Sequence, residues 1–472
     1  MHESKSLSKL NRLPRNPRSL TAAVAALAVA GSAASANAAA NTWTVDNCDE
    51  NSHGTIATRT GSLRFAVANA ASGDSIDLTG LACSTISLTT GALVVGQAAL
   101  TIQGPGSLQL TITGADEKDR LFRHTGTGEL SIHGMTLQSG YYHNAISAYG
   151  GCIASAGSVY LQDVAVHSCT AAAGAAGLAK GGGLFTAGNL TLKHSTLALN
   201  TVTGGERNFG GGAECAGTFA AEASTIATNS AEGAGYGGGV DATGDVSITS
   251  SSVIANHAAK NVGGIDVYLY PSARPGSQTT IESSTISSNV AQGVAGGVYT
   301  NASRVSIRNS TIAFNSAGPK SGLSTDAAAG VALSAHGGSI AADLRNTLIA
   351  DNRSGPIADD LATSFTSDTL HVTFNAAPAY NLIVASTASG LPSDTRTDCP
   401  LLGPLRNNGG PTPTHALLSG SPAIDSGGAT GAATFDQRGS PYVRVDNGAA
   451  DIGAYEVQQE DSLFGSSFDG CP

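Results

Sequence analysis

Beyond its first 38 residues this chain has no helical stripe of useful length, because apolar residues do not recur at i, i+3 and i+4. A leucine-rich or ankyrin-type array therefore fits poorly. Charged residues make up only 12% of the chain and aromatics 5%, so any interior must be narrow and filled by small side chains. A basic stripe is also missing. The formal net charge is −11, or about −15 once residues 1–38, with five basic residues and one acidic, are set aside. This acidity excludes nucleic acid as a partner, and an acidic polysaccharide would be repelled unless cations bridged it. No segment after the N-terminus is apolar enough to cross a membrane as a helix. The absence of Cys-x-x-Cys or His-rich spacing leaves no zinc signature.

Glycine is abundant, at 60 residues, and it recurs in a rhythm. Between about residues 130 and 355 nearly the same phrase repeats eight times: a glycine pair or triplet, an alternating apolar strand, then Thr-Ile-x-x-Asn. One pass reads Gly181-Gly182-Gly183-Leu184-Phe185, then Leu190-Thr191-Leu192, then Thr196-Leu197-Ala198-Leu199-Asn200. The asparagines Asn200, Asn229, Asn256, Asn289, Asn315 and Asn352 follow one another at intervals of 26 to 37 residues. Such a period marks a solenoid. In Val246-Ser247-Ile248-Thr249 and Val305-Ser306-Ile307-Arg308 every second residue is apolar, which is strand periodicity. The pattern predicts an all-β fold, a right-handed parallel β-helix with three short strands per turn. Its corners hold glycines and asparagines, which tolerate positive φ. The asparagines are expected to stack as one corner ladder.

The organisation follows. Residues 1–38 read as an export signal: Lys5, Lys9, Arg12, Arg15 and Arg18 precede an apolar stretch from Leu20 to Ala30, and Ala36-Asn37-Ala38 suits a signal peptidase. Residues 41–130 form an N-terminal cap and the first coils, with a short capping helix at Leu63 to Ala71, the turn Ser72-Gly73-Asp74 and a strand at Ser75 to Leu78. Parallel coils fill 130–400, with the rhythm degrading after 356, where a strand is expected at Leu370 to Phe374. Residues 400–456 are rich in glycine and proline, and 457–472 read as a flexible tail. All seven cysteines lie beyond the leader, in a compartment that permits disulfides. Cys48 with Cys83 would staple the cap, Cys152 with Cys169 would link positions within one coil, and the odd count leaves a thiol over.

The glycines also set the side-chain register. The residue after each glycine pair should point inward: Leu184, Ala213, Val240, Ile265 and Val298. The following residues then form an outward ladder of Ile153, Phe185, Glu214, Asp241, Asp266 and Tyr299. Three carboxylates at steps of about 4.8 Å favour a bound cation such as Ca2+, or raised pKa values. Glu214, Asp241 and Asp266 are thus candidate metal ligands or an acid/base set. Lys180, Phe209, Tyr236 and Asn261 share a neighbouring slot, so Phe185, Phe209, Tyr236 and Tyr299 are candidate sugar-binding aromatics. A lyase would need a base from Lys180, Arg207, Lys260 or Arg274. Asp436-Gln437-Arg438-Gly439 reads as a turn with an internal ion pair. His133, His143, His167 and His194 fit no nucleophile motif, and the glycine runs lack the Lys-Ser/Thr of a phosphate loop.

Two segments resemble known families. Gly61-Ser62-Leu63-Arg64-Phe65-Ala66-Val67 is similar to the CSLREA-type cap of bacterial secreted β-helix proteins, with Gly61 where that motif has Cys and Phe65-Ala66 in place of Glu-Ala. Leu401 to His415, Ser421-Pro422-Ala423-Ile424-Asp425, Asp436-Gln437-Arg438-Gly439 and Asp451-Ile452-Gly453-Ala454-Tyr455-Glu456 together resemble the choice-of-anchor Q region of predicted surface proteins. The coils between them resemble pectate-lyase-like and polymorphic outer-membrane-protein repeats. The polygalacturonase signatures Gly-His-Gly and Arg-Ile-Lys are absent, and Asp359-Asp360 alone does not supply them. The resemblance implies an exported bacterial protein, extracellular or peripherally associated with the outer membrane. Its expected role is a non-catalytic adhesin-like protein or scaffold that meets extracellular carbohydrate or a cell-surface ligand. The alternative is a polysaccharide lyase or glycoside hydrolase using the acidic ladder.

Overall fold

The computed structural model describes residues 40–115, 119–269, 275–319, 328–335, 338–365, 369–428 and 433–459. The expected leader, Arg274 and nearly all of the expected tail lie outside them. The described chain is a right-handed parallel β-helix. Its long walls are three sheets: sheet I with 14 strands, sheet II with 11 and sheet III with 10. Each coil visits them in the order III, I, II, as in Leu184–Thr186, Leu190–Lys193 and Thr196–Ala198. From coil to coil the strands pair in parallel, so Leu190 lies beside Phe219, Phe219 beside Val246 and Val246 beside Thr279. Alternation does the rest. Leu190 and Leu192 are buried while Thr191 and Lys193 face outward, and each large apolar side chain so buried contributes roughly 1.5–3 kcal/mol.

Three strands per turn proved too few. Many coils add a strand of a fourth, nine-stranded sheet IV, such as Thr201–Thr203, and four early coils add one of a four-stranded sheet V, such as Leu178–Lys180. These strands were illegible because they are two to four residues long and carry alanine and glycine where the others carry leucine and isoleucine. Sheet V matters most, because it stands beside sheet III across the glycine corner and makes the second wall of a groove.

The corners are organised by a glycine facing an asparagine. Asn200 donates from both its backbone N and its Nδ2 to Asn229 Oδ1, each at 3.0 Å. The same pair of bonds recurs from Asn229 to Asn256, Asn256 to Asn289, Asn289 to Asn315 and Asn315 to Asn352. Asp360 ends the stack by accepting from Asn352, which gives the Asp359-Asp360 pair a structural role. A Cβ on Gly183 would lie 2.9 Å from Asn200 Cγ, so the last glycine of each triplet makes room for the ladder. The asparagines do not themselves take the positive φ expected of them. It falls on the residue before each one: Leu199 (57°), Thr228 (53°), Ala255 (53°), Ser288 (59°), Phe314 (58°) and Asp351 (58°). A left-handed conformation costs a non-glycine residue about 1–2 kcal/mol, and the buried amide bonds that follow offset it. A second ladder escaped the sequence reading. Ser195, Ser224, Ser251 and Ser284 each donate a backbone N–H to the hydroxyl one coil on, ending at Ser310.

The N-terminal end is closed. The helix Leu63–Asn69, two residues shorter than expected, is capped by the Ser62 hydroxyl and buries Leu63, Ala66 and Val67 over the first coils. The disulfide Cys48–Cys83 staples this cap, and Cys152–Cys169 joins two corners of one coil. Cys399 is also disulfide-bonded, and Cys215 is a buried free thiol. Residues 401–428 and 433–457 return along the outside of sheet II. The antiparallel hairpin of Leu402–Arg406 and Thr414–Leu417 and the turn at Asp436 lie against coils far upstream. There Gln437 accepts from Thr285, His415 bonds Ser287, and Thr311 accepts from the backbone N of Ala454. The ion pair expected in Asp436-Gln437-Arg438-Gly439 is present at 2.7 Å with both side chains fully buried, and the Arg438 guanidinium lies 3.9 Å from the ring centroids of Tyr442 and Tyr455.

Candidate functional site

The glycine-derived register places the outward ladder on sheet III with one slip. Phe185 lies beside Glu214, Glu214 beside Asp241, Asp241 beside Asp266, and Asp266 beside Tyr299. Ile153 is not in this row. It pairs with Leu184 and is buried, and Ala154 holds the outward slot beside Phe185. The slip arose because Cys152 stands where the third glycine of the next triplet stands, which moves the strand start by one residue. The inward set Leu184, Ala213, Val240, Ile265 and Val298 is buried as expected.

The second row follows the sheet V strands. Tyr149 lies beside Lys180, Lys180 beside Phe209, Phe209 beside Tyr236, and Tyr236 bridges to Asn261. Between the rows the corner glycines bring the walls close. Gly237, at φ +62°, would carry a Cβ only 3.0 Å from that of Asp241. Together the rows enclose a cavity of about 590 Å3 that reaches from Lys180 and Arg207, past the three carboxylates, to Tyr268 and Tyr299. Two stacked aromatic pairs line it, Phe209 with Tyr236 at 5.2 Å and Tyr268 with Tyr299 at 6.5 Å, and a third, Tyr149 with Phe185 at 4.8 Å, stands outside its lining one coil further toward the N-terminus. Phe209, Tyr236 and Tyr299 are therefore brought together in the cavity and Phe185 stands beside Glu214 at its edge, while Tyr149 and Tyr268 were missed. Tyr149 lies on a strand too short to register as one, and Tyr268 follows its strand and is half exposed.

The carboxylates are nearly buried, with Glu214 1% exposed and Asp241 and Asp266 each 5%. Lys180 Nζ donates to Glu214 Oε1 at 2.5 Å. Glu214 Oε2 is buried with no hydrogen-bond partner among the described residues. Burial raises the pKa of Glu214, and the Lys180 ammonium pulls it part of the way back. Burial pushes Asp241 well above the ordinary carboxylate range, and the charges of Asp266 and Glu214 push it further. Burial brings Asp266 up to about 7. Burial thus favours the neutral form of all three carboxyls, and the Lys180 ammonium opposes it most directly at Glu214.

A calcium site fits these residues poorly. Among the described residues no group of three or more His, Cys, Asp or Glu side chains is placed to hold a metal ion. The Lys180 ammonium already sits against Glu214, where a bridging cation would have to compete with it. Of the other cations considered, Arg207 lines the cavity and Lys260 lies 5.0 Å above the Tyr236 ring. None of His133, His143, His167 or His194 lines it.

No family model and no curated protein matches the chain. Among solved structures it is similar to one described as the crystal structure of pectate lyase Pel9A, at 13% identity and a TM-score of 0.48 over 89% of this chain and 97% of that one.

Proposed function

We propose that the groove between sheets III and V binds an extended glycan and cleaves a glycosidic bond in it by general acid–base chemistry. The reading is carried by three carboxylates in register, nearly buried, on the floor of a cavity walled by stacked aromatic pairs. Aromatic faces pack against sugar rings, while buried carboxylates with divergent protonation supply an acid and a base. Burial and the neighbouring charges of Asp266 and Glu214 favour the protonated form of Asp241, which suits it as general acid to the leaving glycosidic oxygen. Glu214, whose ionised form Lys180 favours, acts as the base or nucleophile, and the charge of Asp266, once it ionises, reinforces the proton on Asp241. The leader-like N-terminus and the Cys48–Cys83 and Cys152–Cys169 disulfides support an exported protein. The choice-of-anchor Q resemblance supports association with a cell surface.

The test is release of reducing ends from a panel of glycans by residues 40–472, with Asp241→Asn as the control. Turnover that falls about 10²–10⁴-fold in D241N, with binding retained, is the expected result. Unsaturated products would instead mark a lyase with Lys180 or Arg207 as base. A second reading, an adhesin-like scaffold that holds the same glycan uncleaved, is favoured by the aromatic pairs alone. Binding without any release would establish it.

A further inference from the structure

The carboxylate row does not end at Phe185. Followed toward the N-terminus, the same outward register runs from Glu214 through Phe185 and Ala154 to Arg123, three strand steps or roughly 14 Å away. Arg123 is exposed and borders a second cavity of about 500 Å3 on the same groove. Beside it Arg120 is only 7% exposed, its guanidinium flat on the Tyr142 ring at 3.5 Å, and its Nε has no hydrogen-bond partner among the described residues. Neighbouring polar groups are already engaged. The Asp119 carboxylate accepts from the backbone N–H groups of Arg120 and Ala92, and both ring nitrogens of His124 are bonded, to Ser155 Oγ and the Gln97 carbonyl. The stacked Tyr149–Phe185 pair lines this cavity on the side toward Lys180.

A nearly buried guanidinium with an unsatisfied N–H, beside an exposed arginine and walled by aromatics, calls for an anionic group on a ring-shaped ligand. The carboxylate site repels the same group. We propose that Arg120 and Arg123 form an anionic-sugar subsite. The groove then selects a chain with an uncharged sugar at Glu214, Asp241 and Asp266 and a carboxylate- or sulfate-bearing sugar a few units along. This rests on the glycan reading above and adds a charge pattern to it.

The test is an array of defined oligosaccharides in which uncharged chains are paired with chains of the same backbone carrying one uronate or one sulfate. Residues 40–472, Arg123→Gln and Arg120→Lys are compared on it. The unaltered chain should favour acid-bearing members by about tenfold, the scale of one charge-assisted hydrogen bond. R123Q and R120K should lose that preference while still binding the uncharged partners as before. The uronate and sulfate arms tell which anion is read. Equal binding of charged and uncharged members by the unaltered chain overturns the subsite but leaves the glycan groove standing. Preference that survives both substitutions overturns it too. No binding anywhere on the array overturns the subsite and the glycan reading together. R123Q alters an exposed side chain, and R120K keeps charge at the buried position, so loss of folding does not confound the comparison.

Discussion

Cys152 and Cys169 stand in the two slots that Gly183 and Asn200 occupy one coil later. Ile153 pairs with Leu184 and His167 with Ala198, so each cysteine falls one step before or two steps after a fixed register point. The ladder continues through them, since the backbone N of Cys169 donates to Asn200 Oδ1 at 3.0 Å. The disulfide is thus a covalent form of the glycine–asparagine contact, placed at the coil where the asparagine stack begins.

Its loss should therefore be repairable. Cys169→Ala is expected to cost about 2–4 kcal/mol, the usual scale for a disulfide closing a short loop. The double substitution Cys152→Gly with Cys169→Asn should recover part of that by extending the ladder one coil. Urea unfolding of both variants decides the matter, and a double variant no better than C169A would refute the equivalence.

Within the ladder, Asn256→Ala should be more damaging than an ordinary polar truncation. It removes the acceptor for two donors of Asn229 and the bonds to Ile226 and Asn289. With buried donors left unpaired, the expected cost is about 3 kcal/mol, seen as a lower urea midpoint. Asn256→Asp keeps the acceptor and should cost less at acidic pH.

The acidic site should destabilise the fold as pH rises. Burial brings Asp266 up to about 7 in the folded chain from an ordinary 3.8, so between those pH values the folded state holds a proton that the unfolded state has given up. That contribution is fully present below pH 3.8 and is lost as pH rises through 7. Asp266→Asn should then be more stable than the unaltered chain at pH 8, on the order of 2 kcal/mol, with the advantage shrinking to nothing near pH 4. Thermal melts across that range would show an equal gap at both ends if the idea were wrong.

Removing the Lys180 ammonium should act on Glu214. In Lys180→Met, burial is left unopposed and the Glu214 pKa rises further. The pH at which glycan turnover reaches half its maximum on the acidic limb should move upward. An unmoved limb would remove Glu214 from the base role.

Much of the fold was legible because its period is written in residues with one function each. Glycine marks the corner, asparagine the buried amide, and apolar alternation the wall, so Glu214, Asp241 and Asp266 could be aligned before any coordinates. What could not be read had no pattern of its own. The short strands of sheets IV and V are too small to alternate, which hid Tyr149 and the second wall. Cys152 broke the glycine count and displaced Ile153 by one residue. The left-handed residues Leu199, Thr228 and Ala255 share no side-chain type, because the asparagine that follows sets their backbone. The return of residues 401–428 and 433–457 along sheet II leaves no trace in local sequence, since its partners lie more than a hundred residues upstream.

That return has a consequence for how the molecule evolves. A repeat array with free ends can gain or lose a unit anywhere and merely become longer or shorter. Here Thr285, Thr311 and Asn346, on successive coils, are each met by a different point of one strap, through Gln437, Ala454 and Gly428. Inserting a coil among them would displace the later contacts by about 4.8 Å and strand Thr311 and Asn346 without their partners. The strap works as a ruler, and a solenoid measured in this way is held to one length.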